Sequence, residues 1–225
     1  EKLNEFNLVK EISQQLPIYT LSQILGIPES DRQKLTEWME FLELAQYFTL
    51  EQIKQNEEGI TDTTPDPALV EMFNNMIDEM FDYGRFILNK KKEKPENDLL
   101  SAIANAKIAG EDLSQEFLDG SWLLIVFAGN DTTRNTMSGG IKLLNENSQQ
   151  KQLVLDNFER VTGLINETVR CVSPVIHMRR TTLEETIIGD QKIGPFEKIA
   201  LWYGAANRDP EIFDDPDKFN IMRTN

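Results

Sequence analysis

The feature that most constrains the fold is an apolar run that changes character abruptly, LLIVFAGNDTTRNTM, from Leu123 to Met137. Its first part has the composition of a buried helix, and its centre is the polar segment GNDTT. Glycine and threonine are poor helix formers, and an acid beside an apolar run is costly to bury. The segment is compatible with tight helix–helix packing and a surface acid, or with a widened groove beside a ligand.

Helical spacing dominates the first two thirds of the chain. A long helix is predicted from about Ser114 to about Asn145, which at 1.5 Å per residue would extend roughly 45 Å. An amphipathic helix is predicted from Pro67 to about Asn89, because apolar residues recur there at i, i+3 and i+4. We interpret its methionines as core packing rather than as a ligand site.

Three other segments also predict helices. The first, EFNLVKEISQQLPIYTLSQIL, is interrupted by Pro17, and the second, PESDRQKLTEWMEFLELAQYF, offers Ser30 and Asp31 as N-cap candidates. The third, SQQKQLVLDNFERVTGLINETVR, reads as a single helix that ends before Pro174. The turn-rich segment EGITDTTPDP, residues 58–67, predicts a surface loop.

The pattern changes after residue 170 to short β-rich runs. Strands are predicted at Glu185 to Ile188 and at Lys198 to Tyr203, separated by Gly189 and by Gly194-Pro195. The sequence therefore predicts a mainly α fold with a small β-sheet portion. We expect a helical part over residues 1–170 and strands followed by irregular chain over residues 171–225.

Charge and cysteine content exclude several classes of function. The chain has 225 residues and a net charge of −15, which argues against a nucleic-acid surface. The one basic run, Asn89 to Asn97, is interpreted as a solvated helix end and loop. One cysteine excludes an intramolecular disulfide framework, and no Cys/His cluster offers zinc ligands.

No apolar run approaches the roughly 18 residues that a membrane-spanning helix needs. The first residues, EKLNEFNLVK, lack the basic and apolar regions of a secretory signal. We therefore expect no membrane span and a cytoplasmic location.

Two other groups of residues could carry chemistry. Glu167 and Arg170 are three residues apart on one helical face, a spacing that by itself is typical of a surface ion pair. His177, Arg179 and Arg180 are three potential cations in one extended segment. They form either an exposed edge strand or a site for a carboxylate or phosphate, since arginine forks suit such anions.

The order of these segments resembles that of the cytochrome P450 family, the haem-thiolate monooxygenases. AGNDTT matches the A/G-G-x-D/E-T-T motif of the family's long central helix, ETVR matches its E-x-x-R motif, and PDKF matches its P-E-R-F segment. The upstream stretch LSQILGIPESDRQKL is a common bacterial pattern. The resemblance implies the central part of a cytochrome P450 fold, with the long helix over the haem.

The resemblance also implies roles for individual residues. Asp131 and Thr132 would deliver protons to dioxygen and promote O–O cleavage. Arg180 would bind a haem propionate, with His177 and Arg179 as weaker candidates. The remaining assignments are approach of haem and oxygen (Ala128, Gly129), the walls of the substrate pocket (Leu124, Phe127, Val175, Ile176) and a buried structural pair (Glu167, Arg170).

For the parent protein, the resemblance implies haem b (iron protoporphyrin IX), O2 as co-substrate, and electrons from NAD(P)H through a ferredoxin and its reductase. A hydrophobic small molecule is the expected substrate, with terminal hydroxylation of an n-alkane or fatty acid favoured by GNDTTRNTMSGG, HMRRT and LWYGAANRD. The alternatives are a steroid or terpenoid hydroxylase of the same family and, in another class, a non-catalytic truncated segment or helical binding module.

The sequence departs from the family pattern at three places. Lys218 occupies the arginine position of P-E-R-F, although Arg223 lies nearby, and Phe196 stands where a strand turn usually has glycine. The haem-ligand loop F-x-x-G-x-x-x-C-x-G is absent, and Cys171 directly follows the E-x-x-R helix without such a loop. The axial cysteine is therefore expected beyond Asn225, in a longer protein, and this segment alone is expected to be inactive.

Overall fold

The computed structural model describes residues 5–42, residue 44 and residues 67–224. The loop predicted at residues 58–67 lies outside these residues except for Pro67. The helices are α1 (Gln15–Leu25), α2 (residues 32–42), α3 (Pro67–Glu93), α4 (Leu99–Ala104), α5 (Gln115–Glu146), α6 (Ser148–Asp156), α7 (Val161–Val172) and α8 (Tyr203–Ala206). The strands are β1 (Lys107–Ile108), β2 (Glu111–Asp112), β3 (His177–Thr181), β4 (Thr186–Ile188), β5 (Gln191–Ile193) and β6 (Lys198–Trp202). The predicted mainly helical class is confirmed.

The chain divides into two compact units, and the division falls inside α5. Residues 10–131 form one unit, and residues 1–9 and 132–225 form the other. Each unit is described by itself.

In the unit of residues 10–131, three aromatic side chains form the centre of the core. The ring of Trp38 lies 5.3 Å from that of Tyr83 and 6.2 Å from that of Trp122. The indole of Trp122 lies directly on Gly84 of α3, where a Cβ atom would come within 2.5 Å of its ring, and its Nε1 donates to the carbonyl of Met80. Glycine at position 84 thus lets a large aromatic from α5 pack against the α3 backbone.

The first two helices begin differently from the prediction. A π-helical turn (Val9–Ser13) precedes α1, so the interruption lies ahead of Pro17 rather than at it. Pro17 is the third residue of α1, where its missing N–H needs no intrahelical partner. Ser30 and Asp31 lie inside a 3₁₀ turn (Glu29–Asp31), and Asp31 Oδ2 accepts a hydrogen bond from the Tyr83 hydroxyl at 2.8 Å.

The basic run at the end of α3 is not wholly solvated, which corrects the prediction for Lys91. This side chain is buried, and its Nζ lies 2.5 Å from Asp98 Oδ2 and makes a second ion pair with Glu96. Asp98 also caps α4, because its Oδ1 accepts from the backbone N–H of Ser101 at 2.7 Å. Gly26 leaves room for this pair, since a Cβ there would overlap the Asp98 carboxylate.

In the unit that contains residues 132–225, the helix predicted from residue 148 is broken. Asn157 is extended at φ −149°, and its side chain accepts from the N–H of Glu159 at the start of a 3₁₀ turn (Phe158–Arg160). An asparagine side chain offers the backbone this alternative to a helical hydrogen bond. The single-helix prediction is therefore wrong, and α6 and α7 are separate elements.

The strands pair antiparallel. β3 pairs with β6 so that His177 lies opposite Trp202, and β4 and β5 form a hairpin around Gly189, whose φ is +58°. Each predicted strand is one residue longer than the observed one, with β4 beginning at Thr186 and β6 ending at Trp202. The short pair β1–β2 completes the sheets of the described residues.

Candidate functional site

Around the AGNDTT segment, two opposite faces of α5 differ sharply in exposure. Trp122, Val126 and Asn130 recur every four residues and are almost completely buried. Leu124 is 65% exposed and Ala128, one turn later, is also exposed. The helix thus presents an open face of apolar and small side chains in the unit of residues 10–131.

The other predicted residues on this helix are half-buried. These are Phe127 and Gly129, followed by Asp131 and Thr132 on either side of the division between the units. Gly129 packs closely on α1, because a Cβ at this position would lie 3.1 Å from Leu21 Cδ1. Its small size therefore serves helix packing within this unit.

Just beyond the motif, two hydroxyl groups bond back to the helix. Thr136 Oγ1 donates to the carbonyl of Thr132 at 2.8 Å, and Ser138 Oγ donates to that of Arg134 at 2.9 Å. Such bonds compete for the carbonyls of the preceding turn and tend to bend a helix. These two residues were not predicted from the sequence, although the four-residue spacing could have identified them.

Glu167 and Arg170 of α7 form a buried, bidentate pair. The Nε and Nη2 atoms of Arg170 donate to the two carboxylate oxygens of Glu167 at 2.8 and 2.9 Å, and both side chains are less than a tenth exposed. Burial alone would raise the pKa of Glu167, but the bonds from Arg170 and from the Asn220 backbone N–H hold it below its usual value. The carboxyl is therefore ionised at neutral pH.

Arg170 also ties α7 to the irregular chain that follows the sheet. Its guanidinium donates to the carbonyls of Asn207, Pro216 and Lys218 at 2.7, 2.6 and 3.2 Å. Three backbone carbonyls of otherwise irregular segments are satisfied in this way. A single arginine thereby fixes the path of the chain through the PDKF segment.

Arg223, rather than Lys218, supplies the second cation at Glu167. Arg223 Nε lies 3.2 Å from Glu167 Oε2, while the Lys218 side chain is exposed and only its carbonyl takes part. The guanidinium of Arg223 also donates to the carbonyl of Asp214 at 2.6 Å. Lys218 departs from the P-E-R-F pattern, and an arginine five residues later is buried against the Glu167 carboxylate that Arg170 also binds.

Strand alternation separates the cations of β3. The ring of His177 stacks on Trp202 of β6 with centroids 4.8 Å apart, and Arg179 follows two residues later on the same face. Arg180 and Met178 belong to the opposite face, as does Ile176, which precedes the strand and is 62% exposed. Arg180 is exposed, and its Nη1 donates to the carbonyl of Arg179. Val175 is half-buried.

These residues fit a haem at two separate places. An open apolar helix face at Leu124 and Ala128 suits the flat hydrocarbon surface of a porphyrin, and an exposed guanidinium at Arg180 suits a carboxylate. Cys171 does not suit an axial thiolate. Burial raises the pKa of its thiol, and its Sγ accepts a hydrogen bond from Arg170 at 3.2 Å.

The part of the chain that the structure describes contains no group of three or more His, Cys, Asp or Glu residues that could hold a metal ion. Within the same residues, none of the helices combines the length and hydropathy required to cross a membrane.

Known proteins resemble this chain in sequence and in fold. The family profile described as Cytochrome P450 matches residues 142–224. Linalool 8-monooxygenase of Pseudomonas putida is 30% identical over 220 residues, which cover 98% of this chain and 50% of that protein. Methyl-branched lipid omega-hydroxylase of Mycobacterium tuberculosis is 28% identical over 221 residues, covering 96% of this chain and 47% of that protein.

Solved structures agree with these sequence matches. A Mycobacterium marinum cytochrome P450 in complex with pseudoionone has a TM-score of 0.80 and 30% identity, covering 97% of this chain and 50% of that one. The chain spans about half the length of the curated relatives that it matches. Profile, relatives and fold together show that this chain is similar to members of the cytochrome P450 family.

Proposed function

We propose that this chain is the oxygen-activating part of a haem-dependent monooxygenase that hydroxylates an unactivated C–H bond of a hydrophobic substrate. One oxygen atom of O2 enters the substrate and the other leaves as water, with two electrons from NAD(P)H. The observation that carries the proposal is the open face of α5. Leu124 and Ala128 are exposed, and the half-buried Asp131 and Thr132 follow Ala128 within one helical turn, while the opposite face of α5 is buried.

A thiolate-ligated haem, when bound, supplies dioxygen activation, because the thiolate pushes electron density onto the iron and favours O–O cleavage. The roles of this chain's residues follow from their chemistry. Ala128 has almost no side chain, so a flat group can lie against the helix there, with Gly129 as the next residue. Leu124 and Phe127 present apolar surface to a substrate and exclude water from it.

Asp131 and Thr132 are the residues that move protons. A carboxyl group can accept or release a proton, and the Thr132 hydroxyl can accept one hydrogen bond while donating another. Together they can pass a proton along α5 to the oxygen atom that leaves as water. A positioned group of this kind contributes about 10²- to 10⁴-fold to a rate.

On β3, Arg180 is proposed to bind a haem propionate. Its exposed guanidinium and its position on the face with Met178 support this role. Val175 and Ile176 are proposed to form apolar wall. His177 and Arg179 lie on the opposite face of the same strand, so they would not reach the group that Arg180 binds.

For the substrate, we propose an n-alkane or fatty acid hydroxylated at its terminal carbon. The relative named methyl-branched lipid omega-hydroxylase and the apolar character of Leu124, Phe127 and Ile176 support this class. A terpenoid is the second candidate, supported by the relative named linalool 8-monooxygenase. Electrons are proposed to come through a ferredoxin and its reductase, in the cytoplasm.

The test uses the full-length protein that contains this chain. Its reduced form with carbon monoxide should give the absorption band of thiolate-ligated haem, and a protein without that band would be a non-catalytic member of the family. Alkanes, fatty acids and terpenoids are then compared by the spin shift that each induces. Fatty acids or alkanes should give the largest shift, and a larger shift with terpenoids would favour the second candidate.

The proton role is tested by Thr132→Ala, with Thr133→Ala as its matched control, because Thr133 is exposed at the next helix position. In Thr132→Ala, product formed per NAD(P)H consumed should fall at least about tenfold, since the proton relay is lost. The Thr133→Ala variant should retain wild-type coupling. Equal coupling in both variants would rule out the role proposed for Thr132.

A further inference from the structure

Asn130 is a buried amide without a hydrogen-bond partner. It is 1% exposed, and neither its Oδ1 nor its Nδ2 has a partner among the described residues. A buried polar group left unpaired costs about 1–3 kcal/mol, and this side chain has both donors and an acceptor to satisfy. Asn130 lies within the AGNDTT segment, but the roles proposed above do not use it.

The preceding turns of the same helix face provide no side-chain partner for Asn130. Val126, one turn earlier, is apolar, and the indole N–H of Trp122 already donates to the carbonyl of Met80 at 3.0 Å. Backbone carbonyls of the preceding turn have a second lone pair beyond their helical hydrogen bond. An amide and one such carbonyl together meet the two to four polar contacts that a buried water requires.

We propose that Asn130 binds an internal water molecule against the α5 backbone and thereby acts as a positioning residue for Asp131. The second part rests on the proton role proposed for Asp131 above. A water that shares a helix carbonyl loosens the local hydrogen-bond ladder and sets the tilt of that turn. Asp131 is the next residue, so the direction of its carboxyl depends on the same turn.

An apolar residue at position 130 would leave no buried polar group unpaired. Substitutions there can therefore separate the loss of a bound water from a change in how the side chain fills the space. Leucine has the branched shape of asparagine, with bulkier methyl groups in place of the amide oxygen and nitrogen, and holds no water. Serine keeps a donor and an acceptor and leaves space for water beside it. Asn130→Leu and Asn130→Ser therefore separate the loss of the water from the change of side chain.

The first measurement is a high-resolution crystal structure of the full-length protein and of its Asn130→Leu variant. An ordered water within hydrogen-bond distance of Asn130 Oδ1 or Nδ2, absent in the variant, is the expected result. A dry amide, or one bonded directly to a protein group, overturns the proposal. This readout needs no activity, so it decides the water site even if the carbon monoxide spectrum refutes the monooxygenase function.

The second measurement compares melting temperature, coupling of NAD(P)H use to product, and the solvent deuterium isotope effect. Asn130→Leu should keep or raise the melting temperature, lower the coupling about tenfold and change the isotope effect, because misplacement of a reacting group is costly. Asn130→Ser should retain much of the wild-type coupling that Asn130→Leu loses. Asn145→Leu, the same change at an exposed position of α5, should leave all three unchanged. A lower melting temperature with wild-type coupling in Asn130→Leu would overturn the positioning role.

Discussion

Replacing Arg223 by alanine should destabilise the protein strongly, although this residue lies five positions beyond the motif lysine. Its side chain is 8% exposed, and it donates to Glu167 Oε2 and to the carbonyls of Asp214 and Lys218 at 3.2, 2.6 and 3.1 Å. Removing one partner of a buried charged pair costs about 3–5 kcal/mol. Glu167 keeps its two bonds from Arg170, so the lower end of that range applies.

The lost hydrogen bonds give an independent check on this magnitude. Bonds to charged groups are worth about 1.5–3 kcal/mol each, so the simple sum is an upper bound. The three carbonyl acceptors, on Asp214, Asp215 and Lys218, belong to exposed residues and regain water after the change, which leaves the Glu167 contact as the main loss. We therefore expect about 3 kcal/mol, or a fall in melting temperature of about 5–10 °C for a domain of this size or larger.

Thermal unfolding of the full-length protein, followed by circular dichroism, measures the effect. Lys218→Ala is the matched control, because the Lys218 side chain is exposed and a surface substitution usually changes stability by less than about 0.5 kcal/mol. Arg223→Lys should give an intermediate loss, since it keeps the charge without the planar fork. If Lys218→Ala lowers the melting temperature as much as Arg223→Ala, the arginine is not the second cation at Glu167.

Two further predictions concern stability. The hydrogen bond and charge of Lys91 outweigh burial and hold the pKa of the Asp98 carboxyl below its usual value. The ionised carboxyl therefore stabilises the fold at neutral pH, and this stabilisation is lost as the pH falls below about 4 through the lowered pKa. Asp98→Asn should therefore flatten the acid limb of an unfolding-against-pH curve, and an unchanged limb would contradict this. Gly139→Ala should lower the melting temperature, because its Cβ would overlap Val172. At Gly120 no atom lies within 4 Å of an added Cβ, so Gly120→Ala should raise the melting temperature. Equal effects of the two substitutions would contradict the packing argument.

The long helix was predictable because its signals are local. Ser114 supplies the cap, since its hydroxyl accepts from the N–H of Phe117 at 3.2 Å, and no proline occurs from there to the end of α5. The break between α6 and α7 has no such signal. It depends on the side chain of Asn157, and Arg160 Nη1 reaches the carbonyl of Leu153 across the break at 3.1 Å.

Charged residues show the same limit of local information. The three-residue spacing of Glu167 and Arg170 predicts that the two side chains can meet, but their burial depends on Arg223 and on carbonyls about 40 residues away along the chain. Lys91 was expected in solvent because its neighbours in sequence are polar. Its carboxylate partner Asp98 lies beyond the turn at Pro95, and the close approach of Gly26 excludes water from the pair.

The AGNDTT segment combines residues that the helix directs to different environments. Each residue of a helix is rotated by about 100° from the one before it, so neighbours in the motif face different surroundings. Ala128 is exposed, Gly129 packs on Leu21 of α1, and Asn130 faces the buried side with Val126. Tight packing at Gly129 and exposed surface at Ala128 are therefore both present on one helix. If the proposed chemistry takes place on the open face, a single turn of backbone links it to the buried face, and Asn130→Leu tests that link.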